Sequence, residues 1–139
     1  MDGVERNTRF NGNYILSLIA GKEFTSTRSN RVFGVNIRTI YAGGLRSTPI
    51  DLPRSQQEGH ALYREQEAFS KQNAPYFRSD LRLSMKWNRR RHTSTLSLDI
   101  QNVSNRQNVA GTAYDSYKGK EVTYYQAGII PVLNYKIEF

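Results

Sequence analysis

The chain has 139 residues, no cysteine and a net charge of +8. The lack of cysteine excludes a disulfide framework and thiolate metal ligands. The charge is compatible with nucleic acid, an anionic membrane surface or an anionic ligand. Nine tyrosines and six phenylalanines favour β-structure. No apolar stretch approaches the roughly 20 residues of a membrane-spanning helix, and the start of the sequence lacks the apolar segment of a secretory signal.

Two strands are predicted in the first third of the chain, over residues 13–24 and 32–43. The second strand alternates with the period of two that is typical of a half-buried strand. Arg38 lies on its polar face, and the opposite face carries Phe33, Val35, Ile37, Thr39 and Tyr41. The first strand alternates less cleanly, because its aliphatic side chains fall on both faces.

The clearest alternation lies in residues 76–87, and a second segment of the same kind follows in residues 93–103. The short polar segment 88–92 joins them, so the pair is predicted to form a β-hairpin. One face of this hairpin is apolar and consists of Leu81, Leu83, Met85, Trp87, Leu96, Leu98 and Ile100. The opposite face carries charged and small polar side chains.

A last strand is predicted from about residue 122 to residue 139. Pro131 lies within it, and proline is tolerated at a bulge or where no ladder partner is needed, so the strand is expected to break near Ile130. One face of its second half is apolar and consists of Leu133, Tyr135, Ile137 and Phe139. Lys136 and Glu138 lie on the other face.

Two long connections, residues 44–74 and 104–121, alternate with two short ones. A short helix is predicted over residues 61–72, inside the first long connection. Long structureless loops are uncommon in compact domains, but short turns on one side and long loops on the other are typical of outer-membrane barrels. The sequence therefore predicts an all-β fold, an antiparallel meander of about five strands that forms an arc of a transmembrane β-barrel.

The alternation also predicts which side chains contact lipid. If the chain ends in the periplasm, both short connections lie there, with Trp87 and Phe139 at an aromatic rim. Eight charged side chains are then predicted to face the lumen: Arg38, Arg78, Asp80, Arg82, Lys86, Asp99, Lys136 and Glu138. The apolar side chains of the central hairpin are predicted to face lipid, because arginine or lysine there costs roughly 2–4 kcal/mol at the midplane.

Five stretches resemble the TonB-dependent outer-membrane receptors, in particular the subgroup with an N-terminal carboxypeptidase-like regulatory domain. They are YILSLIAGKEF (14–24), AGGLRSTPID (42–51), YFRSDLRL (76–83), LDIQNVSNRQN (98–108) and GIIPVLNYKIEF (128–139). The last stretch also resembles the closing strand of outer-membrane barrels. In those proteins the barrel-assembly machinery reads a terminal Phe and the apolar residues before it, which here are Leu133, Tyr135, Ile137 and Phe139.

This resemblance implies a receptor of the bacterial outer membrane that imports a nutrient with energy supplied through TonB, with neither catalysis nor a cofactor. Its implied partners are outer-membrane lipid, the remainder of its own barrel and plug, the TonB complex and the barrel-assembly machinery. Such receptors contain a plug and about 22 strands, so residues 1–139 are expected to be the C-terminal portion of a longer barrel, without the plug and the earlier strands. The alternative is a passive porin-like barrel. A plug domain encoded directly upstream would favour the receptor over this alternative.

A third interpretation is a small soluble basic β-domain that binds nucleic acid through Arg89, Arg90 and Arg91. Such a run is more often a solvated turn, and nucleic acid is not expected as a partner. His60 and His92, the two histidines, have no spacing typical of a metal site and are expected to lie at the surface.

Asp80 and Asp99 are the carboxylates that invite a catalytic interpretation. Because Asp80 lies between two arginines and Asp99 is on the neighbouring strand, we expect both to belong to an ion-pair ladder between the strands. The chain is therefore not expected to be an enzyme.

Overall fold

The computed structural model describes Gly3 and residues 5–139 of the chain. This described part is mostly β-structure, with nine strands, one α-helix and a short 3-10 helix at Glu65–Glu67. The strands are β1 (Ile15–Ser26), β2 (Arg31–Ala42), β3 (Arg46–Ser47), β4 (Lys71–Gln72), β5 (Tyr76–Asn88), β6 (Thr93–Gln101), β7 (Val109–Asp115), β8 (Lys120–Tyr125) and β9 (Ile130–Glu138). The helix, α1, is Leu52–Glu58. None of the described helices is long and apolar enough to cross a membrane.

Five strands form one antiparallel sheet in the order β1-β2-β5-β6-β9. The prediction of an antiparallel meander of about five strands is confirmed. β1, β2, β5 and β6 lie within two residues of their predicted bounds. β1 and β9 are the two edges, so the described residues form an open sheet rather than a closed barrel.

The register of the central strands places apolar residues opposite apolar residues and a charged residue opposite a charged residue. Leu83 of β5 lies opposite Leu98 of β6, which lies opposite Leu133 of β9. One residue along, Arg82 lies opposite Asp99. Because successive side chains of a strand point to opposite faces, this register collects the apolar side chains on one face and the charged ones on the other.

The predicted last strand is two strands in the structure. β8 forms a hairpin with β7, and β7 lies in the segment that the sequence predicts to be a long connection. β9 joins the large sheet next to β6. The break expected near Ile130 is present, because β9 begins there. Pro131 lies opposite Ile100 in the edge strand, where a missing backbone N–H is tolerated.

The helix predicted over residues 61–72 is wrong, because this segment contains only the 3-10 turn and the short strand β4. The helix lies earlier, in α1. The Asp51 side chain caps it by accepting a hydrogen bond from the Arg54 N–H (3.3 Å), Pro53 occupies its first turn, and Gly59 ends it in the left-handed region with φ 72°. These are the residue types that start and stop helices.

The chain divides into two compact units. The sheet unit consists of Leu16–Ile40, Phe77–Arg106 and Ala127–Phe139, and the loop unit consists of the described residues up to Ile15 with Tyr41–Tyr76 and Gln107–Gln126. In the loop unit, Ser55 is fully buried and its Oγ accepts a hydrogen bond from the Leu62 N–H (2.9 Å). Ile50 of this unit is the one buried hydrophobic side chain among the described residues.

Candidate functional site

The first candidate surface is the apolar face of the sheet. It contains all seven side chains that the sequence assigned to lipid, Leu81, Leu83, Met85, Trp87, Leu96, Leu98 and Ile100, and it continues across β9 through Leu133, Tyr135 and Ile137. All of these side chains are half-buried or exposed, and Leu133 keeps 70 % of its surface open. The apolar face is thus uncovered in the described structure, and large uncovered apolar surfaces mark interaction sites.

Four hydroxyl groups on the apolar face are paired with one another. The hydroxyls of Thr39 and Ser79 share a hydrogen bond of 2.9 Å between β2 and β5. The Tyr135 hydroxyl donates to Ser94 Oγ (3.3 Å) between β9 and β6. Hydroxyls that bond each other across strands do not need water, so this face can lie against an apolar medium.

β1 departs from the clean segregation, as its sequence indicated. The ring contact between Phe24 and Phe33 (6.4 Å between centroids) places the even-numbered residues of β1 on the apolar face. Lys22 therefore lies on that face, near the turn to β2, while Ile15 and Ile19 lie on the polar face. A lysine at such a place can extend its ammonium group to the water beyond the turn while its methylenes stay on the apolar surface.

The second candidate surface is the opposite, polar face. It carries the eight charged side chains that the sequence assigned to the lumen: Arg38, Arg78, Asp80, Arg82, Lys86, Asp99, Lys136 and Glu138. Five are cationic and three anionic, so this set has a net charge of +2. All of them lie on strands of the large sheet, which fixes their spacing.

Asp80 lies at the centre of one group of bonds on the polar face. Arg78 Nε donates to Asp80 Oδ1 (2.7 Å), and its Nη2 donates to Gln101 Oε1 (3.1 Å). The backbone N–H of Asn102 donates to the same Asp80 oxygen (2.8 Å). Asp80 is thus bonded to its own strand by an ion pair and to Asn102, the residue after β6, by a backbone hydrogen bond.

Asp99 lies at the centre of a second group. Arg82 Nη1 of β5 approaches Asp99 Oδ1 to 3.5 Å, and Asn134 Nδ2 of β9 donates to Asp99 Oδ2 (2.8 Å). The expected cross-strand ion pair exists for Asp99, whereas Asp80 pairs with a neighbour on its own strand. Arg82 keeps 52 % of its side chain exposed, so water screens this pair and it contributes little to stability.

The polar face contains an open hollow of about 450 Å³. Its border includes residues from all five strands, among them Ile19, Asn36, Arg82, Asp99 and Asn134. Because residues of every strand of the sheet border this hollow, the polar face is concave at this place.

Two asparagines that the sequence reasoning missed shape the end of β6. Asn102 and Asn105 both have φ 52°, in the left-handed region that asparagine tolerates. The Asn102 side chain is buried and donates to the carbonyls of Arg106 (2.9 Å) and Ala127 (3.3 Å), while Asn105 Oδ1 accepts from the Ile129 N–H (3.0 Å). These bonds hold the chain after β6 to the chain before β9. In the sequence, two asparagines three residues apart directly after a predicted strand were the signal that could have indicated this turn.

The arginine run lies in the turn of the β5–β6 hairpin. Arg89 donates its backbone N–H to the carbonyl of His92 (3.0 Å), and the three arginine side chains are exposed. The ring of Phe139 lies 6.3 Å from that of His92, beside this turn. Among the described residues, no group of His, Cys, Asp or Glu side chains is arranged to hold a metal ion.

No protein family, curated protein or solved structure matches this chain. The likeness to outer-membrane receptors therefore remains an expectation from the sequence. The residues expected to be read during barrel assembly lie on the apolar side of β9, at Leu133, Tyr135 and Ile137, and in the exposed Phe139 that follows it. Their role in assembly stays a prediction.

Proposed function

We propose that the five-stranded sheet is a stretch of the wall of a bacterial outer-membrane β-barrel, belonging to a TonB-dependent receptor that imports a nutrient. The observation that carries the proposal is the uncovered apolar face, which lies back to back with a concave, charged face. In a barrel wall the first face contacts lipid and the second borders the wet lumen.

The separation of charge supports this placement. The eight charged side chains listed above and Glu23 of β1 lie on the concave face. By the alternation of their strands, Lys22 and Arg31, both close to the β1–β2 turn, are the exceptions on the apolar face. In a bilayer, arginine or lysine on the lipid side costs roughly 2–4 kcal/mol at the midplane and about 0–1 kcal/mol near the interfaces. A water-facing sheet has no such requirement.

The lengths of the strands also fit. β1 and β2 have 12 residues each, β5 has 13, and β6 and β9 have 9. A tilted barrel strand needs about 9–11 residues to cross the hydrocarbon core. The antiparallel order sends both short turns to one end of the sheet and both long connections to the other, as in barrels with periplasmic turns and extracellular loops.

The receptor part of the proposal is supported by the five stretches of sequence that resemble TonB-dependent receptors. In such a barrel the open edges of β1 and β9 pair with strands of the remaining wall, and the plug fills the lumen. Asp80, Asp99 and the arginines beside them then face the plug, where charge-assisted hydrogen bonds hold it until the pull through TonB releases it.

The membrane placement is tested by spin labels at four consecutive positions of β9. Since the chain has no cysteine, Leu133→Cys, Asn134→Cys, Tyr135→Cys and Lys136→Cys each give a single label in vesicles of outer-membrane lipid. Labels at 133 and 135 are expected to be relaxed by oxygen, which concentrates in lipid, and those at 134 and 136 by a water-soluble nickel chelate. Equal relaxation by the nickel chelate at all four positions would falsify the placement.

Two further measurements separate the competing functions. Uptake through a receptor energised by TonB stops when the inner-membrane proton gradient is collapsed, while uptake through a passive porin continues. The soluble alternative requires the chain to stay in solution without detergent and to bind DNA with an affinity that falls steeply with salt.

A further inference from the structure

The loop unit contains a cavity that the wall of a barrel does not require. Its volume is about 430 Å³, within the range of small-molecule sites. Its border is formed by β3, the residues around the 3-10 turn and the first half of β7. All of these residues belong to one compact unit.

The cavity has an excess of positive charge. Arg9 and Arg46 border it, against one carboxylate, Glu65. Arg46 is held in place because its Nε donates to the carbonyl of Asn11 (2.9 Å) and its backbone N–H donates to the carbonyl of Arg9 (2.9 Å). Two guanidinium groups on adjoining segments favour an anion, and a planar carboxylate suits the fork of their donors.

Aromatic rings supply the apolar part of the border. Phe69 and Tyr63 both line the cavity, and Tyr63 keeps 47 % of its surface open. Phe69 has φ 56°, which is unusual for a bulky residue, and strained backbone of this kind concentrates at binding sites. Its backbone N–H donates to Thr48 Oγ1 (3.3 Å), which fixes the segment that carries the ring.

Ser47 gives an independent indication. It borders the cavity, and its buried Oγ has no hydrogen-bond partner among the described residues. A buried hydroxyl without a partner calls for an explanation. Rotation about χ1 moves a serine hydroxyl between staggered positions, so an acceptor that enters the cavity can complete its bonding.

We propose that this cavity binds a small organic anion, a carboxylate joined to a flat apolar body. Arg9 and Arg46 pair with the carboxylate, and the rings of Phe69 and Tyr63 contact the apolar body. The site rests on the loop unit alone and goes beyond the barrel-wall proposal, because it needs neither lipid nor a lumen.

Benzoate is the probe for this site, and benzamide is its neutral isostere. In ¹⁵N NMR spectra of the full chain in detergent, benzoate at millimolar concentration is expected to shift the amides of Ser47, Asn73 and Gly111 in a saturable way. Benzamide is expected to bind roughly tenfold more weakly, since it lacks the charge-assisted hydrogen bonds.

Variants locate the interaction. Arg9→Gln is expected to weaken benzoate binding roughly tenfold, whereas Arg54→Gln, an equal change of charge at an exposed residue of α1 outside the cavity border, leaves it unchanged. Phe69→Asn keeps a residue that tolerates the left-handed region but removes the ring, and it is also expected to weaken binding. The proposal is overturned if benzamide binds as well as benzoate, if Arg54→Gln weakens binding as much as Arg9→Gln, or if benzoate shifts none of the cavity amides. The spin-label result at β9 is independent of each of these outcomes.

Discussion

Replacing Leu133 by arginine distinguishes a sheet that faces lipid from one that faces water. Leu133 lies on the apolar face of β9 and keeps 70 % of its surface open. In water, an arginine at such an exposed position changes the free energy of unfolding by no more than about 0.5 kcal/mol. In a bilayer, the same guanidinium lies in hydrocarbon.

The size of the effect follows from the position of the residue in the strand. Leu133 is one residue from the middle of β9. With a rise of about 3.4 Å per residue and a tilt of about 45°, it lies about 2.4 Å from the midpoint along the membrane normal. At that depth arginine costs roughly 2–4 kcal/mol, several times the change expected in water.

The assay is unfolding of the chain in phosphocholine vesicles by the denaturant guanidinium chloride. Unfolding is followed by the fluorescence of Trp87, the one tryptophan of the chain. The matched control is Asn134→Arg, the next residue on the polar face, where the new cation lies beside Asp99. This control is expected to change the free energy of unfolding by less than about 1 kcal/mol. If Leu133→Arg and Asn134→Arg cost the same, the apolar face does not lie in lipid.

Three predictions concern the loop unit. Asp51→Ala removes the cap of α1 and should lower the free energy of unfolding of this unit by about 1 kcal/mol, which thermal unfolding measures. A Cβ at Gly43 would overlap neighbouring backbone, so Gly43→Ala should disrupt this unit and reduce the dispersion of its amide signals in NMR spectra, while Gly111→Ala, with open space around it, should not. Bonds from the backbone N–H and ammonium group of Lys118 hold the pKa of Asp115 below its usual value. The β7–β8 turn should therefore be stabilised above the ordinary pKa of an aspartate and lose this stabilisation as the pH falls through the lowered one, which NMR titration of Asp115 reports.

The large sheet could be predicted because its information is local. Alternation between apolar and polar residues in residues 76–87 and 93–101 fixes both the strand type and the face of each side chain. A slip of one residue would place Leu98 opposite Arg82, so the hairpin has one acceptable register. The same reasoning predicted an ion-pair ladder that contains Asp80 and Asp99, but only the register in the structure shows that Arg82 is the partner of Asp99.

The loop unit could not be predicted, because long-range bonds determine it. β3 pairs with β4 from far along the chain, Lys71 forms an ion pair with Glu121, and Gln56 of α1 donates to the carbonyl of Gly119 (2.6 Å). None of these partners can be chosen from local pattern. Asp51, Pro53 and Gly59 are residue types that start and stop helices, whereas the prediction of a helix over residues 61–72 depended only on the apolar spacing of Leu62 and Phe69.

The large sheet leaves two kinds of surface that are unfavourable in water: an apolar face and two unpaired edges. Its apolar face is uncovered, and β1 and β9 expose edges 12 and 9 residues long. Long open edges invite pairing with other chains. A second protein layer packed on the apolar face would remove that surface from water but would leave both edges unpaired. Closure into a barrel pairs the edges, and lipid covers the apolar face while the concave charges stay wet. We therefore infer that further strands and a bilayer together complete this sheet, and that supplying either one alone leaves it prone to aggregation.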